Sequence, residues 1–183
     1  MASTLVKIDI HLIFHVKSTS IKIAHDDLPR VIQYLGGIIR DMGGIPMAIG
    51  GMPDHIHIFT SLPKTTALSD FVRIIKAESS KWIKEALQGY RTFVWQEGYG
   101  AFSVSPSLSE KTVNYILHQE EHHRKRSFQE EYKLFLEAYG INMTQTMHLQ
   151  TKYSVVPSGL TAGWCTLTGA LPLPVFCRPF GTE

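Results

Sequence analysis

The sequence predicts an α+β fold of the ferredoxin-like kind: a split β-α-β pair forming a four-stranded antiparallel sheet with helices on one face, followed by a C-terminal tail. Three observations predict it. β-prone apolar runs and stretches of helical apolar spacing succeed one another in the order β-α-β-β-α-β-α-α, which this arrangement packs most simply. Glycine, proline and aspartate punctuate the joins. The chain has 183 residues, and at ~100–200 residues per domain it holds one core and hardly two.

Residues 5–16 set Ile8, Ile10, Leu12, Phe14 and Val16 on one face and mostly Lys7, Asp9, His11 and His15 on the other, the pattern of a strand with one wet face. Asp26-Asp27-Leu28-Pro29 brings acidic caps and an early proline to a helix. Leu28, Val31, Ile32, Leu35, Ile38, Ile39 and Met42 continue it, and Gly43-Gly44 stops it. Residues 45–50 and 56–62 are short β-prone runs around Gly51-Met52-Pro53-Asp54, a turn composition that predicts a hairpin. Residues 67–87 carry Leu68, Phe71, Val72, Ile75, Ser79, Trp82, Ile83 and Ala86 on one stripe, the longest helix. Residues 92–105 are irregular apart from short strands at 93–95 and 102–104. Ser107 or Ser109 then caps a helix through Val113, Ile116 and Leu117, and a last helix over 127–139 carries Phe128, Tyr132, Phe135 and Leu136.

Composition bounds the function. Hydrophobic residues are 44% and charged residues 19%, and no apolar run approaches the ~20 residues of a membrane helix, so disorder and a membrane span are both disfavoured. Asp9 and His11 interrupt the stretch that a signal peptide would need. Cys165 and Cys177 lack metal or disulfide spacing, so a reducing cytoplasm fits best. A net charge of +2 is too small to identify a nucleic-acid binder from the total. None of the glycine pairs ends in GK[ST], so no nucleotide cofactor is expected. Residues 140–183 hold three charged side chains, Lys152, Arg178 and Glu183, among scattered glycines and prolines, which places a domain over 1–140 and a Pro/Gly-rich tail over 141–183, docked or partly disordered.

The chemistry gathers at two places. His55 and His57 stand at i and i+2 on a predicted strand, so their rings share a face and can converge on one divalent ion while Ile56 and Ile58 turn to the core. Asp54 beside them is a turn residue or an orienter of His55. Downstream, Tyr115, Gln119 and His122 recur at i, i+4 and i+7 on a helix, which makes a phenol and a hard oxygen donor neighbours. A phenol of pKa ~10 is a weak nucleophile unless a metal or base activates the reaction, and the histidine pair could hold that metal. Taken singly, a His-x-His pair is more often two polar residues on a solvated face, and such a tyrosine more often packs.

The combination is more specific. Gly-Gly-Met-Pro-Asp-His-Ile-His-Ile at 50–58, Trp-Gln-Glu-Gly-Tyr-Gly-Ala-Phe at 95–102, Tyr-Ile-Leu-His-Gln at 115–119 and His-His-Arg-Lys-Arg-Ser-Phe-Gln-Glu-Glu-Tyr at 122–132 resemble the HUH single-tyrosine insertion-sequence transposases, with the REP-associated tyrosine transposases as close relatives. The resemblance spans roughly residues 5–140. It implies that His55, His57 and Gln119 bind Mg2+ or Mn2+, and that Tyr115 attacks a phosphodiester of single-stranded, hairpin-flanked DNA to leave a 5′-phosphotyrosine. It also implies a homodimer in which the tyrosine helix of one subunit can complete the other's site. Family members commonly end soon after the last helix, so the tail departs from the pattern.

The basic run His122, His123, Arg124, Lys125 and Arg126 is then expected to contact phosphates, with Lys76, Lys81, Lys84 and Arg91 able to extend the track. Trp95, Tyr99 and Phe102 could stack bases, although packing is the more usual role. His11, His15, His25 and His148 read as lone histidines, with His11 able to line the same face as the pair, while His118, beside Gln119, is left open as a minor ligand. Two other functions compete: a domesticated protein that binds hairpin DNA, and a metal-dependent nuclease with water as nucleophile.

Overall fold

Alternation in the first apolar run makes β1 (Asp9–His15) a central strand. It pairs on one side with β3 (His55–Ser61) and on the other with β4 (Gly100–Ser103), while β2 (Ile45–Met52) closes the antiparallel order β2-β3-β1-β4. This is the predicted split β-α-β sheet, here in a computed structural model that describes residues 5–119, 121, 128–138 and 140. Helix α1 (Leu28–Asp41) follows β1, α2 (Leu68–Ala86) follows β3, and α3 (Ser109–Leu117) follows β4 after a 3-10 turn at Pro106–Leu108. The chain divides into two compact units, Met1–Phe128 and Gln129–Glu183, with α4 (Phe128–Ala138) beginning at the division. The predicted tail, 141–183, lies outside the described residues. No helix among the described residues is long and apolar enough to cross a membrane.

One face of the sheet carries the main core. Ile10, Leu12 and Phe14 of β1 and Ile56 and Ile58 of β3 meet Val31, Leu35 and Ile39 of α1 and Phe71, Val72, Ile75 and Ile83 of α2. Neither helix has a side-chain cap bond. Burying one side chain such as Phe71 contributes about 1.5–3 kcal/mol against roughly 1 for a cap, so the apolar stripe decides these helices. Asp27 does stand at the N-terminus of α1, but its carboxylate accepts a hydrogen bond from the Tyr90 hydroxyl at 3.0 Å and faces Arg30 at 3.6 Å. At the other end Gly43 takes a φ of 81°, the left-handed conformation that lets the chain turn into β2.

The opposite face corrects an expectation. It is not wet: Asp9, His11, His55, His57 and Phe59 on it are all buried. Helix α3 packs against β2 and β3 here, and Ala48, Phe59, Val104 and Ile116 form a second apolar cluster. Thus α1 and α2 share one face as predicted, while α3 covers the other. Gly50 permits the approach, because a Cβ there would collide with the Ile116 carbonyl oxygen.

Smaller differences follow from local competition. The strand expected at 93–95 is a single bridge, Val16 to Trp95. Neither Ser107 nor Ser109 caps α3: Leu108 takes the cap position, and the hydroxyls of Ser105 and Ser107 bond to each other at 2.9 Å.

Candidate active site

The β2-β3 turn sets the histidines. Val16 N–H donates to the Asp54 carbonyl at 2.7 Å and Ile23 N–H to the Pro53 carbonyl at 2.8 Å, so the turn is fastened to the chain leaving β1. His55 and His57 begin β3, with both side chains buried on the face that α3 covers and ring centroids 5.2 Å apart. His55 Nδ1 lies 2.8 Å from Asp54 Oδ1, and Lys22 Nζ donates to Asp54 Oδ2 at 2.9 Å. The hydrogen bond from His55, with help from Lys22, holds the Asp54 carboxyl well below the usual carboxylate range. Of the two roles open to Asp54, turn residue and orienter of His55, the geometry gives it both.

His57 is oriented by a residue that sequence reasoning passed over. Its Nδ1 lies 3.0 Å from His11 Nε2, both rings buried. His11 packs edge-on to Tyr115 as well, with ring centroids 6.1 Å apart. Burial pushes the His11 imidazole down to about 3, so it stays neutral. A signal was present: alternation puts His11 and His57 on one face, but the cross-strand register, Ile13 opposite His57, is what makes His11 the diagonal neighbour.

Helix α3 delivers the tyrosine. Thr112 and Ile116, four apart, are its buried residues, and Ile116 seats the helix over Gly50. Tyr115, next to it, packs beside the second cluster with its ring edge-on to His57, centroids 5.7 Å apart. Tyr115 and His57 thus stand together within the one chain. The expected continuous helix from Tyr115 to Gln119 is interrupted, because α3 ends at Leu117 and His118 leaves helical dihedrals with φ −106° and ψ 27°. The buried Gln119 amide still reaches back, its Nε2 donating to the Tyr115 carbonyl at 3.4 Å, a long bond.

The donor set fits a divalent cation. Each imidazole is engaged through Nδ1, while His55 Nε2, His57 Nε2 and Gln119 Oε1 are buried atoms that make no hydrogen bond among the described residues. Leaving such an atom unsatisfied costs about 1–3 kcal/mol, so each is an acceptor suited to a ligand. The amide oxygen suits Mg2+ or Mn2+, whereas imidazole nitrogens by themselves favour later transition metals. Among the described residues no group of three or more His, Cys, Asp or Glu side chains is placed to hold a metal ion.

Other expectations divide. Lys76 donates to the Gln96 and Gly98 carbonyls, each at 2.6 Å, and so braces the loop before β4 rather than extending a basic track. Trp95 is core: it packs on Phe14 and Phe93, and its Nε1 donates to Ser79 Oγ at 3.0 Å. Phe102 is buried, whereas Tyr99 is 40% exposed. His122, His123, Arg124, Lys125 and Arg126, and with them the i+7 position of the tyrosine helix, lie outside the described residues, as does His148.

Comparison with known proteins gives this geometry a context. The model of the family "Transposase IS200 like" matches residues 4–119, from the approach to β1 through Gln119. No curated protein matches the sequence. Among solved structures, a candidate transposase from Deinococcus radiodurans R1 is similar at 21% identity and a TM-score of 0.52, covering 65% of this chain and 95% of its own. The REP-associated tyrosine transposase bound to a REP hairpin is similar at 16% identity and a TM-score of 0.50, covering 67% of this chain and 73% of its own. At these identities the likeness is one of fold.

Proposed function

The chain belongs to the IS200-like transposase family, and from that premise we propose that it cleaves and rejoins single-stranded, hairpin-flanked DNA, with Tyr115 as nucleophile and His55, His57 and Gln119 as ligands of Mg2+ or Mn2+. The observation that carries this reading is the Tyr115 ring standing edge-on to His57 at 5.7 Å within one chain. The hairpin-bound relative supports a hairpin substrate.

The Tyr115 oxygen attacks the phosphorus and its phenol proton passes to water, the bond to the 3′ oxygen breaks and that oxygen takes a proton from water to leave as a 3′-hydroxyl, and the 5′-phosphotyrosine retains the bond energy for rejoining by a 3′-hydroxyl. A bound divalent cation would withdraw charge from the scissile phosphate and lower the barrier to attack by a phenol of pKa ~10. His55, His57 and Gln119 are neutral donors, so they leave the cation's charge for the phosphate. Asp54 and His11 hold the two imidazoles, and Gly50 lets α3 lie low enough to bring Tyr115 to them. The basic run His122, His123, Arg124, Lys125 and Arg126 supplies phosphate contacts beyond the site. With Tyr115 serving its own chain's histidines, a homodimer would hold two DNA ends in two sites.

A suicide oligonucleotide nicked 3′ to the cleavage site tests the reading. A mass-shifted protein–DNA adduct is expected with the wild type and none with Tyr115→Phe, and a fully paired duplex of the same sequence should resist cleavage. Cleavage that persists in Tyr115→Phe without an adduct would identify a nuclease using water. Hairpin binding without any cleavage would identify a domesticated binding protein.

A further inference from the structure

We infer that His11 is a positioning residue that holds His57 in the tautomer protonated on Nδ1, and thereby keeps Nε2 as the nitrogen whose lone pair is available to the cation. The inference rests on the reading of His57 as a ligand.

Two ring nitrogens 3.0 Å apart share one proton between them, and either ring could carry it. The reading of His57 as a ligand decides which. His57 Nδ1 is already engaged with His11, so ligation must use Nε2, and a neutral imidazole that ligates through Nε2 carries its proton on Nδ1. His57 therefore donates and His11 Nε2 accepts. His55 has the same polarity by independent means, its Nδ1 facing the Asp54 carboxylate at 2.8 Å. Two different acceptors thus set both imidazoles alike, with Nε2 as the ligating nitrogen of each.

The two supports are not equivalent. Asp54 is anionic, partly exposed and paired with Lys22, whereas His11 is a buried imidazole on the neighbouring strand. The strand register fixes its place, since His11 lies diagonally across from His57 through the pair Ile13 and His57. The same ring packs edge-on to Tyr115 at 6.1 Å, so His11 touches both a proposed ligand and the proposed nucleophile. This decides the variants. His11→Phe keeps a flat ring beside Tyr115 and removes the acceptor, and His11→Gln places an amide oxygen near the position of Nε2.

The test uses the full chain. Long-range 15N–1H correlation spectra of the metal-free wild type should show His57 protonated on Nδ1. The signature should shift toward Nε2–H in His11→Phe and return in His11→Gln. By titration with Mn2+ alone, followed by electron paramagnetic resonance, His11→Phe should bind ~10–100-fold more weakly and His11→Gln within about threefold of wild type. With hairpin DNA, His11→Phe should lower kcat and leave KM near its wild-type value. A wild-type His57 protonated on Nε2 overturns the inference. So does wild-type Mn2+ affinity in His11→Phe when His57→Ala no longer binds the ion, and in that case the ligand reading stands. Wild-type affinity in His57→Ala itself would remove the ligand reading and the inference together. If His11→Phe does not fold, the wild-type tautomer and the His11→Gln affinity decide.

Discussion

The carbonyl oxygen of Ile116 occupies the space in which any side chain at Gly50 would begin. A helix and a strand meet there backbone to backbone, and the residue before Ile116 is the tyrosine whose ring stands edge-on to His57. The absence of a single carbon on β2 therefore sets the height of Tyr115 above the sheet.

Gly50→Ala should lift or tilt α3. Insertion of a methyl group into a closed contact costs about 1–3 kcal/mol, and a displacement near 1 Å at a reacting group lowers rates by roughly a hundredfold. The expected result is a lowered Tm together with a drop in adduct formation. Hairpin binding should change far less, since phosphate contacts elsewhere carry it. Adduct formation at the wild-type rate would mean that the Gly50 contact does not place the tyrosine.

Asp54 should leave a signature in acid. Its folded pKa lies below the ordinary value of 3.8, so its contribution to stability is fully present above about pH 5. The unfolded chain takes up the proton first as pH falls, and the contribution is lost progressively from near pH 4 down through the folded pKa. Chemical denaturation should therefore show wild type more stable than Asp54→Asn at pH 7 and the gap narrowing below pH 4. A gap independent of pH would assign the effect to packing instead of charge.

Mixing Tyr115→Phe with His57→Ala protein distinguishes the two modes of tyrosine use. With Tyr115 acting on its own chain's histidines, every chain in the mixture carries one broken half and cleavage should not recover. Recovery after subunit exchange would show that the tyrosine serves a partner's site.

Neutralising Arg124, Lys125 and Arg126 together should weaken DNA binding whatever the sequence. If each side chain neutralises one phosphate, the slope of log K against log salt should fall by up to ~0.7 for each of them removed from a single-stranded complex. An unchanged slope would return the run to a solvated surface.

The sequence by itself determined the element order, the hairpin and the faces. Alternation assigned Leu12, Phe14, Ile56 and Ile58 to one side of the sheet and His11, His55 and His57 to the other, because a strand's side-chain direction is a local property with period two. The motif at 50–58 and the Tyr115 to Gln119 spacing named the candidate site for a similar reason: each lies within a few residues of chain. Tertiary structure alone decided what covers the second face, and with it whether His11 is a lone polar residue or the partner of His57. Nothing local to residues 5–16 reports that α3, about a hundred residues on, closes over them. Nor does it report that register sets His11 diagonally across from His57, or that Gly50 admits the Ile116 carbonyl. Those facts depend on non-local contacts, where burial and hydrogen-bond partners are settled by which backbone can approach which, and periodicity carries no information about that.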